Sequence, residues 1–166
     1  MNDITTLTIY HALFSFHMDV TQKLLALAHT LPDTAYRAKT GCAHASLHHT
    51  FAHLLSADYM WRNVIADTPL EYPDPDSIAG IDALEAMLTV ERDGWRRLID
   101  GYDAVTINSV LERESPDGAR HSFTVWRTMM HVILHGMQHQ AELAHMLTQA
   151  GCDPGDISFL SHQSHL

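Results

Sequence analysis

Fourteen of the 166 residues are histidine, the side chain that titrates near neutral pH and, as neutral imidazole, the commonest protein ligand for metal ions. His131, His135 and His139 recur at four-residue intervals. On a helix each would lie one turn above the last, so two neighbours can share one ion. A second group, His44, His48, His49 and His53, repeats the device, with His49 and His53 again four apart. Two helices packed about 8–10 Å apart can bring a histidine from each onto one ion, which is how helical bundles build metal sites. Spacing alone leaves the alternative open, that these are polar-face or hydrogen-bonded core histidines.

Other chemistries lack their motifs. Di-iron carboxylate bundles need two Glu-x-x-His motifs, and this chain has one, Glu142-Leu143-Ala144-His145. His-Glu-x-x-His and G-x-S-x-G are both absent. Cys42 and Cys152 stand far apart with no CxxC partner, which predicts free thiols in a reducing cytosol. Ten basic against twenty acidic residues give a net charge of −10, a surface that repels phosphate backbones, so nucleic acid is not an expected partner. Apolar stretches are broken every few residues by His, Asp, Gln or Arg, and no basic segment precedes Lys23. Neither a membrane span nor a secretory signal is legible, and a cytoplasmic protein is expected.

The elements that must position the histidines follow from hydrophobic period and chain breakers. One domain is expected over residues 1–166. Leu7, Tyr10, Phe14, Met18, Thr21, Leu25 and Ala28 mark one face of a first helix over residues 4–30, ended by Leu31-Pro32-Asp33. A second helix is predicted from near Ala43 to Thr68-Pro69, carrying His44, His48, His49 and His53. The acidic, proline-rich run from Glu71 to Asp76 reads as an extended tether, with Asp82 and Glu85 as a capping box for a third helix that stops at Gly101. Val105 to Asn108 alternates like a strand that Ser115-Pro116-Asp117-Gly118 folds back onto Arg120 to Phe123. Thr124 is the predicted N-cap of a fourth helix running to Ala150. The economical architecture is an all-α four-helix bundle with a small hairpin before the last helix.

Two segments resemble a known family. His53-Leu54-Leu55-Ser56-Ala57-Asp58-Tyr59-Met60-Trp61 looks like the H-L-L-x-A-D-x-x-W segment of the DinB-like (DinB/YfiT) metalloprotein superfamily. His135-Gly136-Met137-Gln138-His139-Gln140-Ala141-Glu142-Leu143 resembles its H-x-x-x-H-R-G-Q-L. The resemblance implies an up-down-down-up bundle in which His53, His135 and His139 bind a divalent ion such as nickel or zinc. It also implies a small-molecule substrate and a low-molecular-weight thiol, since similar proteins include thiol-dependent transferases. The chain departs from the family at Gln140-Ala141-Glu142, which replaces the usual Arg-Gly-Gln and sets a carboxylate beside His139.

Three neutral imidazoles would leave the full charge on such an ion and at least one position open, which suits activation of water or a thiol. Glu142 is the candidate proton acceptor or partner of a ligand. His49 and His131 are read as pocket-lining neighbours, and His11, His17, His29, His121, His145, His162 and His165 as ordinary helix, margin or tail histidines. Trp61, Trp95 and Trp126 are read first as core residues, with a cavity-lining role open to some. The expected function is a metal-dependent enzyme of thiol S-transferase or hydrolase type. The alternatives are a non-catalytic metal- or ligand-binding stress-response bundle and a pH-sensing interaction protein. Neutral ligands should release metal on acidification through about pH 6. Trp95, Ile99 and Val105, with no evident cover, suggest a homodimer.

Overall fold

The computed structural model describes residues 5–41, 43–69, 73–114 and 118–162. It is mostly helical, with one small two-stranded hairpin. Helix α1 spans Thr6–His29, opened by the Thr5 hydroxyl, which accepts the Thr8 N–H at 3.1 Å. The predicted face is the buried one: Tyr10, Phe14, Met18, Thr21, Leu25 and Ala28 all lie inside. Asp33–Tyr36 then forms a single turn, α2.

Helix α3 covers Leu47–Ile65, four residues later than expected at its start. Ser46 is the reason. Its hydroxyl accepts the His49 N–H at 3.2 Å, and Ala45 before it sits at φ 64°, a left-handed conformation that no helix continues through. His44 is therefore a turn residue, not a helix residue.

The tether is only partly extended, because Asp74 caps a 3-10 turn at Pro75–Ser77 that packs on α3. Its first residues, 71 and 72, together with residue 70 before them and most of the hairpin's turn, 115–117, lie outside the described residues. Helix α4 is Ile81–Asp100, and its N-cap is Gly80 with no side-chain bond, so Asp82 contributes first-turn charge instead of a capping box. The segment expected as the first strand is a 3-10 turn, Thr106–Asn108. One Asp103 carboxylate oxygen accepts from the N–H groups of Val105 and Thr106 and from the Thr106 hydroxyl, while Ile107 enters the core. The strand comes two residues after it: β1, Val110–Glu114, pairs antiparallel with β2, Arg120–Thr124, from Val110 opposite Thr124 to Glu114 opposite Arg120. Thr124 does precede α5, Val125–Gln149, but its side chain makes no capping bond.

Four long helices form a helical bundle in which α1 and α3 each pack against both α4 and α5. Phe51, Leu54, Leu55, Leu24, Leu84 and Leu143 are fully enclosed at its centre. Each such side chain contributes roughly 1.5–3 kcal/mol relative to exposure. Trp95 stacks on Phe14 with ring centroids 4.2 Å apart, and Ile99 is equally buried, so of the three residues thought uncovered only Val105 is exposed. No helix among the described residues is long and apolar enough to cross a membrane.

Candidate metal centre

Helices α3 and α5 lie side by side, and three of their histidines meet between them. Nε2 of His135 is 3.2 Å from Nε2 of His53 and 3.1 Å from Nε2 of His139. Glu142, one turn on from His139, accepts a hydrogen bond from its Nδ1 at 2.8 Å. That bond places the His139 proton on Nδ1 and leaves a lone pair on Nε2. Three ring nitrogens then face one another with at most one proton able to bridge only one of the contacts, so lone pairs converge.

A cation resolves such an arrangement. Ligands about 2.1 Å from a tetrahedral ion stand about 3.4 Å apart, close to the spacing present here. The His139–Glu142 bond also supplies the outer hydrogen bond that orients a ligating imidazole. His135 has no equivalent: its Nδ1 is buried without a partner among the described residues, so packing alone sets that ring.

Burial, reinforced by the neighbouring imidazoles, lowers the pKa of His53 to about 4, and that of His135 also to about 4. Both rings therefore stay neutral, and able to donate a lone pair, well below the ordinary imidazole range. His139 is buried and Glu142 half-buried.

His44 is the member that sequence reasoning misplaced. Leaving the tight turn before Ser46, its ring stacks on His53 with centroids 4.0 Å apart and meets His139 edge-on at 5.0 Å. One ring nitrogen each from His44, His53 and His139 fall within 4.8 Å of one another. The cluster thus contains four histidines, of which His44, His53 and His139 form a group that could hold an ion. His135 adjoins this group, its Nε2 standing 3.2 Å from that of His53 and 3.1 Å from that of His139. The Ser46 cap and the residue at positive φ are the only local signals that would have taken His44 off the helix.

The remaining histidines separate clearly. His49 points outward and pairs with Asp76 at 3.3 Å, so it does not line the site. His131 does extend the column: its ring is 5.9 Å from that of His135 and meets Trp61 edge-on at 5.3 Å. His48 is a core residue bonded to the Tyr36 hydroxyl at 3.1 Å. His11 and His29 form pairs near the surface with Asp100 and Glu85. His162 rests against Phe16 and is largely covered, contrary to the exposed tail position expected; His165 lies outside the described residues.

His17 is a satisfied core histidine, and its surroundings were not foreseen. Its Nε2 donates to Asp58 at 2.9 Å, and Gln140 approaches its Nδ1 at 3.0 Å while bonding its backbone oxygen and the Thr21 hydroxyl. All four side chains are buried. Gly136 makes room for the ring, since a Cβ there would stand 2.3 Å from His17 Cε1. Cys152 is a free thiol, whereas Cys42 lies outside the described residues.

The sequence model of the DinB family matches residues 1–165. Protein DinB of Bacillus subtilis (strain 168) is 23% identical to this chain over 149 residues, which cover 84% of this chain and 84% of that protein.

Proposed function

The chain belongs to the DinB family, and from that premise we propose that it is a divalent-metal-dependent enzyme of thiol S-transferase or hydrolase type, with His53, His135 and His139 as ligands. The observation carrying this reading is the approach of His135 Nε2 to the Nε2 atoms of His53 and His139, at 3.2 and 3.1 Å, with the His139 lone pair fixed by Glu142. Nickel or zinc suits an all-imidazole donor set. When bound, such an ion supplies Lewis acidity that lowers the pKa of a thiol or water beside it.

The chain's own residues then have separable tasks. His53 and His135, kept neutral by burial, present lone pairs at neutral pH. Glu142 Oε2 is committed to His139, so acceptance of a proton from the nucleophile falls to its other carboxylate oxygen. The ring of four long helices supports reading the fold as the up-down-down-up bundle.

His44 favours a second reading. A histidine stacked on His53 and with a ring nitrogen within 4.8 Å of donors on His53 and His139 could close the remaining position and make the protein a non-catalytic binder. Cobalt substitution separates the two. For the enzyme, glutathione or another small thiol produces a sulfur-to-metal charge-transfer band, and an electrophile then consumes the thiol at a metal-dependent rate that falls in Glu142→Gln with metal content unchanged. For the binder, the band appears only after His44→Ala. Unchanged metal stoichiometry in His53→Ala or His139→Ala, under non-saturating conditions, overturns the ligand set in both.

A cytoplasmic location and a homodimer belong to the same proposal. The first rests on the unpaired Cys152. The second now rests on exposed Trp126, Leu134 and Met137 along α5, in place of the buried Trp95 and Ile99. Sedimentation that finds only monomer at high concentration removes it.

A further inference from the structure

One helical turn beyond His135, the groove between α3 and α5 opens into a cavity of about 590 Å³ beneath the hairpin. Its size is that of a small-molecule site. Trp61 of α3 forms one wall, meeting Phe123 of β2 edge-on at 6.0 Å on one side and His131 of α5 at 5.3 Å on the other. Val110 of β1 also lines it and is 57% exposed, an apolar side chain with little cover from the protein. Three aromatic rings and a valine make a space suited to a flat apolar group, which edge-to-face contacts recognise.

Beside the hydroxyls of Ser122, Thr124 and Thr128, the lining carries the guanidinium of Arg127. In a chain of net charge −10, no ion pair of Arg127 occurs among those the described residues form. Of the other arginines, all but Arg97 pair with a carboxylate among the described residues: Arg62 grips Glu91 with two bonds of 2.7 and 2.8 Å, and Arg92 pairs with Asp19. A guanidinium without an internal carboxylate, beside an aromatic box, matches a ligand that carries its own carboxylate, bound by two parallel N–H···O bonds.

We propose that this cavity binds a small aromatic or similarly flat apolar carboxylic acid, its body among Trp61, Phe123 and Val110 and its carboxylate on Arg127. His131 lies at the junction with the histidine cluster, so the end of the ligand away from the carboxylate faces the centre. This names the substrate class of the proposed enzyme and rests on that reading, but binding itself requires only the cavity.

The probes are 3-phenylpropionate, its neutral counterpart 3-phenylpropanol, and propionate, titrated into the metal-free protein while the indole N–H resonances of Trp61, Trp95 and Trp126 are followed by NMR, with Trp61 assigned through Trp61→Phe. The expected result is saturable movement of the Trp61 resonance by phenylpropionate, at least tenfold weaker binding of the alcohol, and none of propionate. Arg127→Gln should weaken the acid at least tenfold and leave the alcohol unchanged, and Phe123→Ala, which keeps the Trp61 resonance, should weaken both. Equal affinities for acid and alcohol, an Arg127→Gln variant that binds the acid normally, or a response confined to Trp95 or Trp126 would overturn the proposal. His53→Ala should bind the acid as wild type does. The cavity and the metal centre are therefore scored by different signals: loss of the cobalt response with the NMR response intact rejects the enzyme and keeps the pocket, and the reverse rejects the pocket alone.

Discussion

Helices α3 and α5 each contribute to two polar assemblies, and the two are built on opposite terms. Toward one side they present His53, His135 and His139, half-buried or buried rings whose nitrogens crowd together. Toward α1 they present Asp58 and Gln140, which close on His17 and Thr21 with every side chain at most 3% exposed. His139 and Gln140 are adjacent, and a helix turns about 100° per residue, so neighbours in sequence serve different faces. In the second assembly donors meet acceptors, although the buried Asp58 Oδ1 has no partner among the described residues. In the first, lone pairs meet lone pairs. A buried network that satisfies itself can brace helices, whereas one whose convergent atoms lack a counter-charge is suited to binding.

That contrast fails or holds first in stability. Asp58→Ala removes the acceptor of the His17 Nε2–H and leaves a buried donor unpaired, which should cost about 3 kcal/mol and lower the melting temperature of the metal-free protein by roughly 10 °C. His53→Ala removes one of the crowded nitrogens and should change metal-free stability by less than about 1 kcal/mol. Urea denaturation of both variants decides the matter. A His53→Ala protein as unstable as Asp58→Ala would mean that the cluster is structural too.

A smaller effect sharpens the brace. Alanine is the better helix former by about 1 kcal/mol, yet a Cβ at Gly136 would lie 2.3 Å from Cε1 and 2.4 Å from Nδ1 of His17, a ring held in place by Asp58 and Gln140. Gly136→Ala should therefore destabilise by about 2 kcal/mol. In a His17→Ala background the clash is gone, and the same change should be neutral or stabilising. Equal costs in the two backgrounds would show that His17 is not what excludes the methyl group.

The sequence made the two assemblies unequally legible, for physical reasons. The long helices follow from period, because a helix repeats its geometry and the face of α1 from Tyr10 to Ala28 shows it, whereas spacing alone left the role of the histidines open. The family resemblance singles out His53, His135 and His139, and Glu142 was visible as the departure beside it. His44 was not, since its position depends on one residue at positive φ and one capping serine that together end α3 early. The brace was hidden for another reason: Asp58 and Gln140 are polar residue types that sequence patterning assigns to solvent, and only tertiary packing brings His17, 41 residues from the one and 123 from the other, into reach. The first strand was misplaced because alternation over four residues cannot be told from a 3-10 turn whose middle residue, Ile107, is buried.

Acid should weaken the metal-free protein through the centre, by about 1–2 kcal/mol once solvent screening of half-buried groups is allowed for. In the unfolded chain His53 and His135 take up protons as pH falls below about 6.5, whereas in the folded protein burial and neighbouring imidazoles hold them neutral until about 4. The unfolded state binds more protons over that window, so the stability present above pH 6.5 is lost as pH falls toward 4. Melting temperatures between pH 7.5 and 4.5 should show it, and the slope should flatten in His53→Ala and in His135→Ala, each of which removes one titrating ring and relieves the other. The same depression moves acid release of a bound metal below the pH 6 expected of ordinary imidazoles, because protons compete less well for these two nitrogens. Metal lost sharply at pH 6, together with a melting curve no flatter in either variant, would mean that the crowding of these rings does not set their protonation and that the contrast between the two assemblies is geometric only.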